Sequence, residues 1–363
     1  MSTDTPQRKR RVLYLVRSFP QISQTYIKTE IEHVARDNEV MILSRKAANK
    51  SPTKSHPFTI IDTLEDAIGH AKAFKPDVIH AHYVNQMDFV DALSEAIGVP
   101  YTVRAHSFDA MAARAPGLQQ IVKQKLFPNT PKLDHEATVR KGIKLARKDN
   151  CLGVLTFPFT REILLGAGAP GSKLIDCWPV VNIEIFENRD QNGDGVMNTG
   201  AVIPKKKMED FLKLATLMDH KIPFNLYAVS YDIEKLRAKS KAMGDRVSFH
   251  RQLDPEDMPA EYKKHSWLVY TGDIDNPTVG WPMAVAEAQA AGVGVAMPRL
   301  RPDVAEFVGH GAGVLYDDVS ELPDILAKAP PEDMRERGFQ QAKKSDIRGH
   351  LHLLTDLWPK IAA

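Results

Sequence analysis

The sequence of 363 residues contains only two cysteines, Cys151 and Cys177. Two are too few for a disulfide scaffold or a Cys-rich metal site. Neither stands near a histidine motif that would mark a nucleophile, so both are expected to be packing residues. No apolar run approaches the ~20 residues of a membrane-crossing helix. The start, MSTDTPQRKRRVLYLV, places basic residues before a short apolar run, without a long apolar stretch or a small-residue cleavage site. It is not read as a signal peptide. The cluster Arg8–Lys9–Arg10–Arg11 is read as a tail entering the first strand. Net charge is also small: 48 basic residues against 46 acidic ones leave +2. That excludes a uniformly basic surface, and no nucleic-acid partner is expected. What is present is ordinary for a soluble globular chain, which points to a cytoplasmic protein and excludes disorder over most of the length. At roughly 150 residues per domain, two domains fit, or three.

Apolar runs alternate with helical patterns. RVLYLV at 11–16 suits a strand buried on both faces, and EVMIL at 39–43, DVIH at 77–80 and VPYTV at 99–103 read as further strands. Helical spacing follows at Tyr26, Ile27, Ile31 and Val34, then over 64–74 and 86–97. The second half restarts the pattern, with strands at 199–203, 224–229, 247–249, 267–270 and 293–297. Its helices are expected at 207–218, 231–243, 255–264 and 282–291. This βαβ spacing points to an α/β fold with parallel sheets, a mixed α+β domain being the alternative. FENRDQNGDGVMN reads as a linker, and the domain boundary is expected within 182–198. No close repeat or low-complexity tract is present.

The richest segment is NPTVGWPMAVAEAQAAGVGVAM, residues 276–297. Pro282 fits the first turn of a helix and Gly292 its C-terminal cap. Ala284, Ala286, Ala288, Ala290 and Ala291 permit close packing on a sheet. Val279–Gly280–Trp281 would present free backbone N–H groups at the helix start, a setting that favours an anion such as a diphosphate. Glu287 lies about one and a half turns in, where a carboxylate can accept hydrogen bonds from ribose hydroxyls. A plain packed βαβ unit explains the same residues.

This segment resembles the donor-binding motif of the retaining GT-B glycosyltransferases, family 4-like. Further matches come in the family's order: SFPQISQTYIKTEI at 18–31, VIHAHYV at 78–84, TVRAHSFDA at 102–110, WPVVNIEIF at 178–186 and TGAVIPKKKMEDFLKLA at 199–215. The resemblance covers nearly the whole chain. It implies two Rossmann-like domains facing a central cleft. Residues 1–182 would bind the acceptor and 183–345 the donor, and a C-terminal helix, 346–363, would return to the first domain through Leu351, Leu354, Leu357 and Trp358. It implies transfer of a sugar, with retention, from a nucleotide-sugar to a glycan, lipid or other cell-envelope acceptor, with no metal and no other cofactor. His106 matches the histidine near the reaction centre and Lys206 the lysine that neutralises donor phosphate. Glu287 matches the ribose-holding carboxylate, and Gly280, Trp281, Pro282 and Met283 the donor-contacting loop. The loop at Gln21–Thr25 would help hold the acceptor.

The departures lie on the donor side. The family's first Glu falls at Val279 and its phosphate-binding Arg at Ala201. The glycine after the lysine is Lys207, and two further turns read Val229–Ser230–Tyr231 and Phe249–His250–Arg251. Arg251 or Lys207 is the candidate to restore the missing positive charge. A non-catalytic nucleotide- or sugar-binding partner of another transferase, or a nucleotide-sugar epimerase, are the rival functions.

Three features remain. Asp190–Asn192–Asp194–Gly195 opens like a calcium loop, but position twelve is Ala201 instead of Glu. Asp273–Ile274–Asp275 looks like the Asp-x-Asp of metal-dependent transferases. Both are read as loops. Among the 13 histidines, His80 and His82 would share one face of a strand, with no third ligand at a recognisable spacing. The basic stretch 118–148 interleaves Lys123, Lys125, Lys132, Arg140, Lys141, Lys144, Arg147 and Lys148 with apolar residues. It is either a solvated helix pair or a surface for an anionic membrane, with peripheral attachment to its inner face.

Overall fold

A computed structural model describes residues 8–48, 54–113, 131–178, 180–229, 232–251, 253–275 and 282–361. The chain divides into two compact units, Met1–Trp178 with His350–Ala363, and Pro179–Gly349. Each unit is built on one parallel sheet.

In the first unit the strands are β1 (Arg10–Val16), β2 (Asn38–Ser44), β3 (Thr59–Ile60), β4 (Val78–His82), β5 (Tyr101–Arg104), β6 (Cys151–Thr156) and β7 (Leu174–Asp176). Their spatial order is β3-β2-β1-β4-β5-β6-β7. β1 is an interior strand, and Val12 to Val16 are fully buried, which is why it reads as a continuous apolar run. The helix Leu64–Phe74 has the residues predicted for it. Thr63 and Asp66 close a capping box at its start, and Lys75 ends it in the left-handed conformation. The last segment packs in this unit: Leu354 is buried and Trp358 Nε1 donates to Thr102 Oγ1 at 3.1 Å. Its helix is short, Leu351–Thr355, so Leu357 and Trp358 follow it instead of extending it.

The second unit has β8 (Gly195–Ala201), β9 (Phe224–Val229), β10 (Val247–His250), β11 (His265–Val269), β12 (Gly294–Pro298) and β13 (Val314–Tyr316), in the order β10-β9-β8-β11-β12-β13. β8 corrects the sequence expectation of 199–203. The strand starts four residues earlier, inside the supposed linker, because Val196 and Met197 are core residues. The helix Met283–Ala290 buries Val285, Ala286, Ala288 and Ala290. Pro282 stands at its N-cap, one residue before the first turn expected for it. Gly292 takes φ +73° just beyond the end, a conformation that glycine adopts without a side-chain clash.

The strand order reverses once in each sheet, between β1 and β4 in the first unit and between β8 and β11 in the second. In open α/β sheets, ligands bind beyond the carboxyl ends of the strands at such switch points.

Candidate functional sites

At the first switch point a polar cluster is buried in the unit. His80 and His82 leave β4 on one face, as strand alternation requires, and the helix Thr25–Asp37 points Glu30 at them. Glu30 Oε1 lies 3.0 Å from His80 Nε2 and 3.3 Å from His82 Nε2. Arg104, the last residue of β5, holds the other oxygen through Nε at 2.6 Å and a terminal guanidinium nitrogen at 2.5 Å. Glu30, His80 and His82 are completely buried. Burial alone would raise the Glu30 pKa, but the Arg104 guanidinium and the two imidazoles hold it well below the usual range. His82 is pushed down to about 4 by burial, against the pull of Glu30. The absence of a third partner for His80 and His82 is therefore corrected: Glu30 lies fifty residues away in sequence and meets them through the fold. The ligand atoms of these three lie within 4.8 Å of one another, close enough for a metal ion. Arg104 already neutralises the carboxylate in the geometry described.

His106 continues this cluster. Its Nε2 lies 3.1 Å from His82 Nδ1, and its ring packs against Tyr26 and Tyr83, with centroids 4.8 and 4.3 Å away. It caps the helix Ser107–Ala112, whose Asp109 accepts from the His106 backbone N–H at 2.8 Å and also from Val84 N. Burial pushes Asp109 up to about 7 in spite of those donors. Tyr83, at the carboxyl end of β4, has φ +79° and ψ 127°, a conformation that costs a bulky side chain roughly 1–3 kcal/mol. Hydrogen bonds hold it there: Gln24 Nε2 to its hydroxyl at 2.7 Å, Tyr26 at 2.8 Å, and its N–H to Arg104 O at 2.9 Å. Gln24 belongs to the loop expected to serve the acceptor.

At the second switch point, Lys206 lies in the turn after β8. Its ammonium donates to the Tyr270 hydroxyl and sits 4.0 Å from that ring's centroid. Tyr270 follows β11 and is fixed by Tyr316, whose hydroxyl donates to Tyr270 O at 2.8 Å. Thr271 Oγ1 donates to Lys206 O at 2.7 Å and accepts from Asn198 at 3.0 Å, which ties the turn to the strand ends. No carboxylate pairs with Lys206 among the described residues. Burial, with Lys205 beside it, lowers its pKa to about 7. Glu287, on the helix Met283–Ala290, shows the reverse. Burial raises it to about 7, against the hydrogen bond from Tyr262 at 2.8 Å.

The remaining site residues divide. Pro282 and Met283 start the helix that carries Glu287. Gly280, Trp281 and Val279 lie outside the described residues, as do Ser230 and Tyr231. Arg251 is exposed just past β10. Lys207 is exposed and lies 3.5 Å from Asp210. Its φ is +44°, a conformation that glycine adopts more readily than a residue with a side chain. Asn192 Oδ1 accepts from Lys263 at 2.9 Å, so a cation already occupies the calcium-like loop. Asp273 Oδ1 accepts from Asp275 N at 3.2 Å in a turn of its own. Of the basic stretch, 118–130 lies outside the described residues. In the described part, Lys141 pairs with Asp88, Lys148 with Asp91 and Glu95, and Arg147 donates to Gly168 O. No helix among the described residues is long and apolar enough to cross a membrane.

Sequence reasoning missed Glu30, Arg104, Tyr262 and Tyr270. Glu30 carried a signal: it falls beside Ile27, Ile31 and Val34, on the stripe that the helix buries. Arg104 also stood out, as a cation between Val103 and Ala105 at a strand end.

Comparison with known proteins places the second unit. Residues 193–329 match the family Glycosyl transferases group 1. The whole chain has the GT-B fold. It superposes on Anabaena Alr3699/HepE, solved in complex with UDP and glucose, with a TM-score of 0.73 at 11% identity, covering 96% of this chain and 98% of that one. Sucrose-phosphate synthase from Thermosynechococcus elongatus gives 0.70 at 16% identity, with the same coverages. WaaG, a glycosyltransferase involved in lipopolysaccharide biosynthesis, gives 0.62 at 13% identity, over 95% of this chain and 98% of that one. No curated protein matches the sequence. The group 1 match spans β8 to the helix Pro323–Leu326 and so includes Lys206 and Glu287.

Proposed function

We propose that the protein is a retaining glycosyltransferase that takes its sugar from a nucleotide-sugar donor. The observation that carries this reading is Lys206: a half-buried cation at a switch point, with a neutral tyrosine as its partner and a pKa lowered to about 7. An arriving diphosphate supplies the missing negative charge and restores the proton. During transfer the leaving nucleoside diphosphate gains charge, and a fixed cation aimed at that charge lowers the barrier. The N-terminus of the helix Met283–Ala290 adds backbone N–H groups. Glu287, ionised on binding, accepts from the ribose hydroxyls. His106 contacts the donor sugar, and the first unit holds a glycan, lipid or other cell-envelope acceptor. This assignment leaves charge neutralisation to the protein, with no metal required. Support comes from the group 1 match over the donor residues and from neighbours solved with UDP or UDP-glucose.

A second reading, a nucleotide-binding partner without catalysis, is favoured by Ala201 at the end of β8, where the resembling family carries its phosphate-binding arginine. The two separate when the protein is incubated with UDP-, GDP- and ADP-sugars and cell-envelope acceptors. Nucleotide release with transferred sugar supports the transferase. Binding without release supports the second reading, and an epimerised donor overturns both. Turnover abolished by EDTA would overturn the metal-free assignment.

A further inference from the structure

The buried cluster of the first unit can be assigned a direction from its donors and acceptors. Trp358 Nε1 can only donate, and it donates to Thr102 Oγ1. With one Thr102 lone pair taken by Trp358, we assign the hydroxyl proton to His80 Nδ1, 2.8 Å away. His80 then carries its proton on Nε2, which faces Glu30 Oε1 at 3.0 Å. From the other side, the Arg104 fork keeps Glu30 ionised, so both its oxygens accept. The Tyr14 hydroxyl donates to Glu30 Oε1 at 3.4 Å, and the two Nε2 atoms approach that oxygen without an aligned hydrogen bond; a bare His82 Nε2 at 3.3 Å would still set nitrogen electron density beside the carboxylate inside the core. His82 therefore also carries its proton on Nε2. Its Nδ1 is then an acceptor, and its ring-nitrogen partner among the described residues is His106 Nε2, at 3.1 Å.

We propose that Glu30 is a positioning residue that acts through His82 to hold His106 as its Nε2–H tautomer. His106 donates into the core and keeps Nδ1 as an unprotonated acceptor. The consequence for transfer rests on the proposed role of His106 at the donor sugar; the relay itself does not. His106 Nδ1 accepts from the Asp109 backbone N–H at the start of the helix Ser107–Ala112, so relay and cap together fix one ring orientation. A metal ion on Glu30, His80 and His82 is the competing use of the same atoms. It would require both Nε2 atoms to be bare and would place a second cation next to Arg104.

The test is a two-bond proton–nitrogen correlation spectrum of the full-length, nitrogen-15-labelled protein, with His106 assigned through His106→Gln. The expected result is a neutral His106 whose Nε2 resonates at the protonated end of the imidazole range and Nδ1 at the unprotonated end. A protonated Nδ1 on His106 overturns the proposal, as does a stoichiometric metal in the purified protein that is bonded to His80 and His82. Glu30→Gln makes a sharper demand. The glutamine oxygen turns to Arg104 and its NH2 to the histidines, so His82 moves its proton to Nδ1 and His106 shifts toward the Nδ1–H tautomer, against the Asp109 N–H that caps the helix. If Glu30→Gln does not fold, His82→Phe keeps the ring shape, removes the acceptor, and is expected to release His106 from a single tautomer. An unchanged His106 tautomer in a folded variant overturns the relay. If the protein transfers sugar, Glu30→Gln is expected to lower kcat by about tenfold or more, while KM for the donor changes less than twofold. Absence of transfer with every donor tried would defeat the functional reading and leave the wild-type spectrum to decide the relay.

Discussion

The two switch points solve the burial of charge in opposite ways. In the first unit, Glu30 is fully buried but has Arg104 on one oxygen and two imidazoles on the other. Its charge is compensated within the unit. In the second unit, among the described residues, Lys206 and Glu287 have one neutral tyrosine each, Tyr270 and Tyr262. Desolvation acts on both with no compensating charge among the described residues and drives a lysine down and a glutamate up to the same value, about 7. A satisfied buried network specifies the fold and rigidifies it. A pair of groups held near neutrality, with no charged partner among the described residues, is what the proposed donor site would use. The comparison teaches that burial alone does not identify a binding group; what Lys206 and Glu287 add is burial without a compensating charge, within the segment that matches the transferase family.

The largest expected effect breaks the compensation in the first unit. Arg104→Met strands a buried carboxylate, and removing one partner of a buried pair costs about 3–5 kcal/mol. Urea denaturation followed by circular dichroism measures it. A loss under about 1 kcal/mol would mean that the histidines alone carry Glu30, and the contrast between the two sites would fall.

Lys206→Met is the converse experiment. It removes a desolvated cation that has no carboxylate partner, so unfolding stability stays level or rises. Nucleotide affinity pays the difference. A charge-assisted hydrogen bond is worth about 1.5–3 kcal/mol, which is a drop of about 10- to 100-fold in affinity for UDP or the base preferred. Calorimetric titration of wild type and variant reads both the affinity and the protonation. At pH 8 the empty Lys206 is mostly neutral, and a bound diphosphate raises its pKa, so binding takes up a proton. Heats that do not vary with the buffer's ionisation enthalpy would show that Lys206 does not meet the phosphate.

The pH dependence of stability sharpens the contrast with smaller effects. Glu287 has a raised folded-state pKa, about 7 against 4.5, so the folded protein holds a proton that the unfolded chain has lost. Its stabilisation is present at low pH and disappears as pH rises from 4.5 to 7. Lys206 has a lowered pKa, about 7 against 10.5, so its contribution rises with pH between those values. Relative to Glu287→Gln, wild type should lose melting temperature from pH 4.5 to 7; relative to Lys206→Met, it should gain from pH 7 to 10. Parallel curves for wild type and variant would show that these groups titrate normally.

The sequence displays the scaffold because parallel strands and their helices are local patterns. The helix 64–74 and the cap at Gly292 could be read from single stretches. β6 escaped because Gly153 interrupts its apolar run; a Cβ there would come 2.7 Å from Ile175 Cδ1. β7 and β13 are three residues each, too short for a period. Lys206 and Glu287 were legible through motif resemblance, but their tyrosines were not. Tyr262 and Tyr270 are apolar-looking residues whose hydroxyls find their targets only in the folded unit. Glu30 and Arg104 are 74 positions apart, and only the β1-β4-β5 order makes them partners.

The smallest expected effect concerns Lys207, and it separates conformation from charge. This residue has φ +44°, a left-handed conformation that costs a non-glycine residue roughly 1 kcal/mol. Its ion pair with Asp210 is exposed and returns little. Lys207→Gly relieves the conformational cost but enlarges the freedom of the unfolded chain, so a gain of at most about 1 kcal/mol is expected. Lys207→Ala keeps the strained conformation and removes the same charge. If Lys207 replaces the positive charge missing at Ala201, both substitutions weaken nucleotide binding equally, and Arg251→Ala added to either weakens it further. If affinity survives all of them, the donor site works with Lys206 as its only lysine contact, and the departure at Lys207 is conformational history and not compensation.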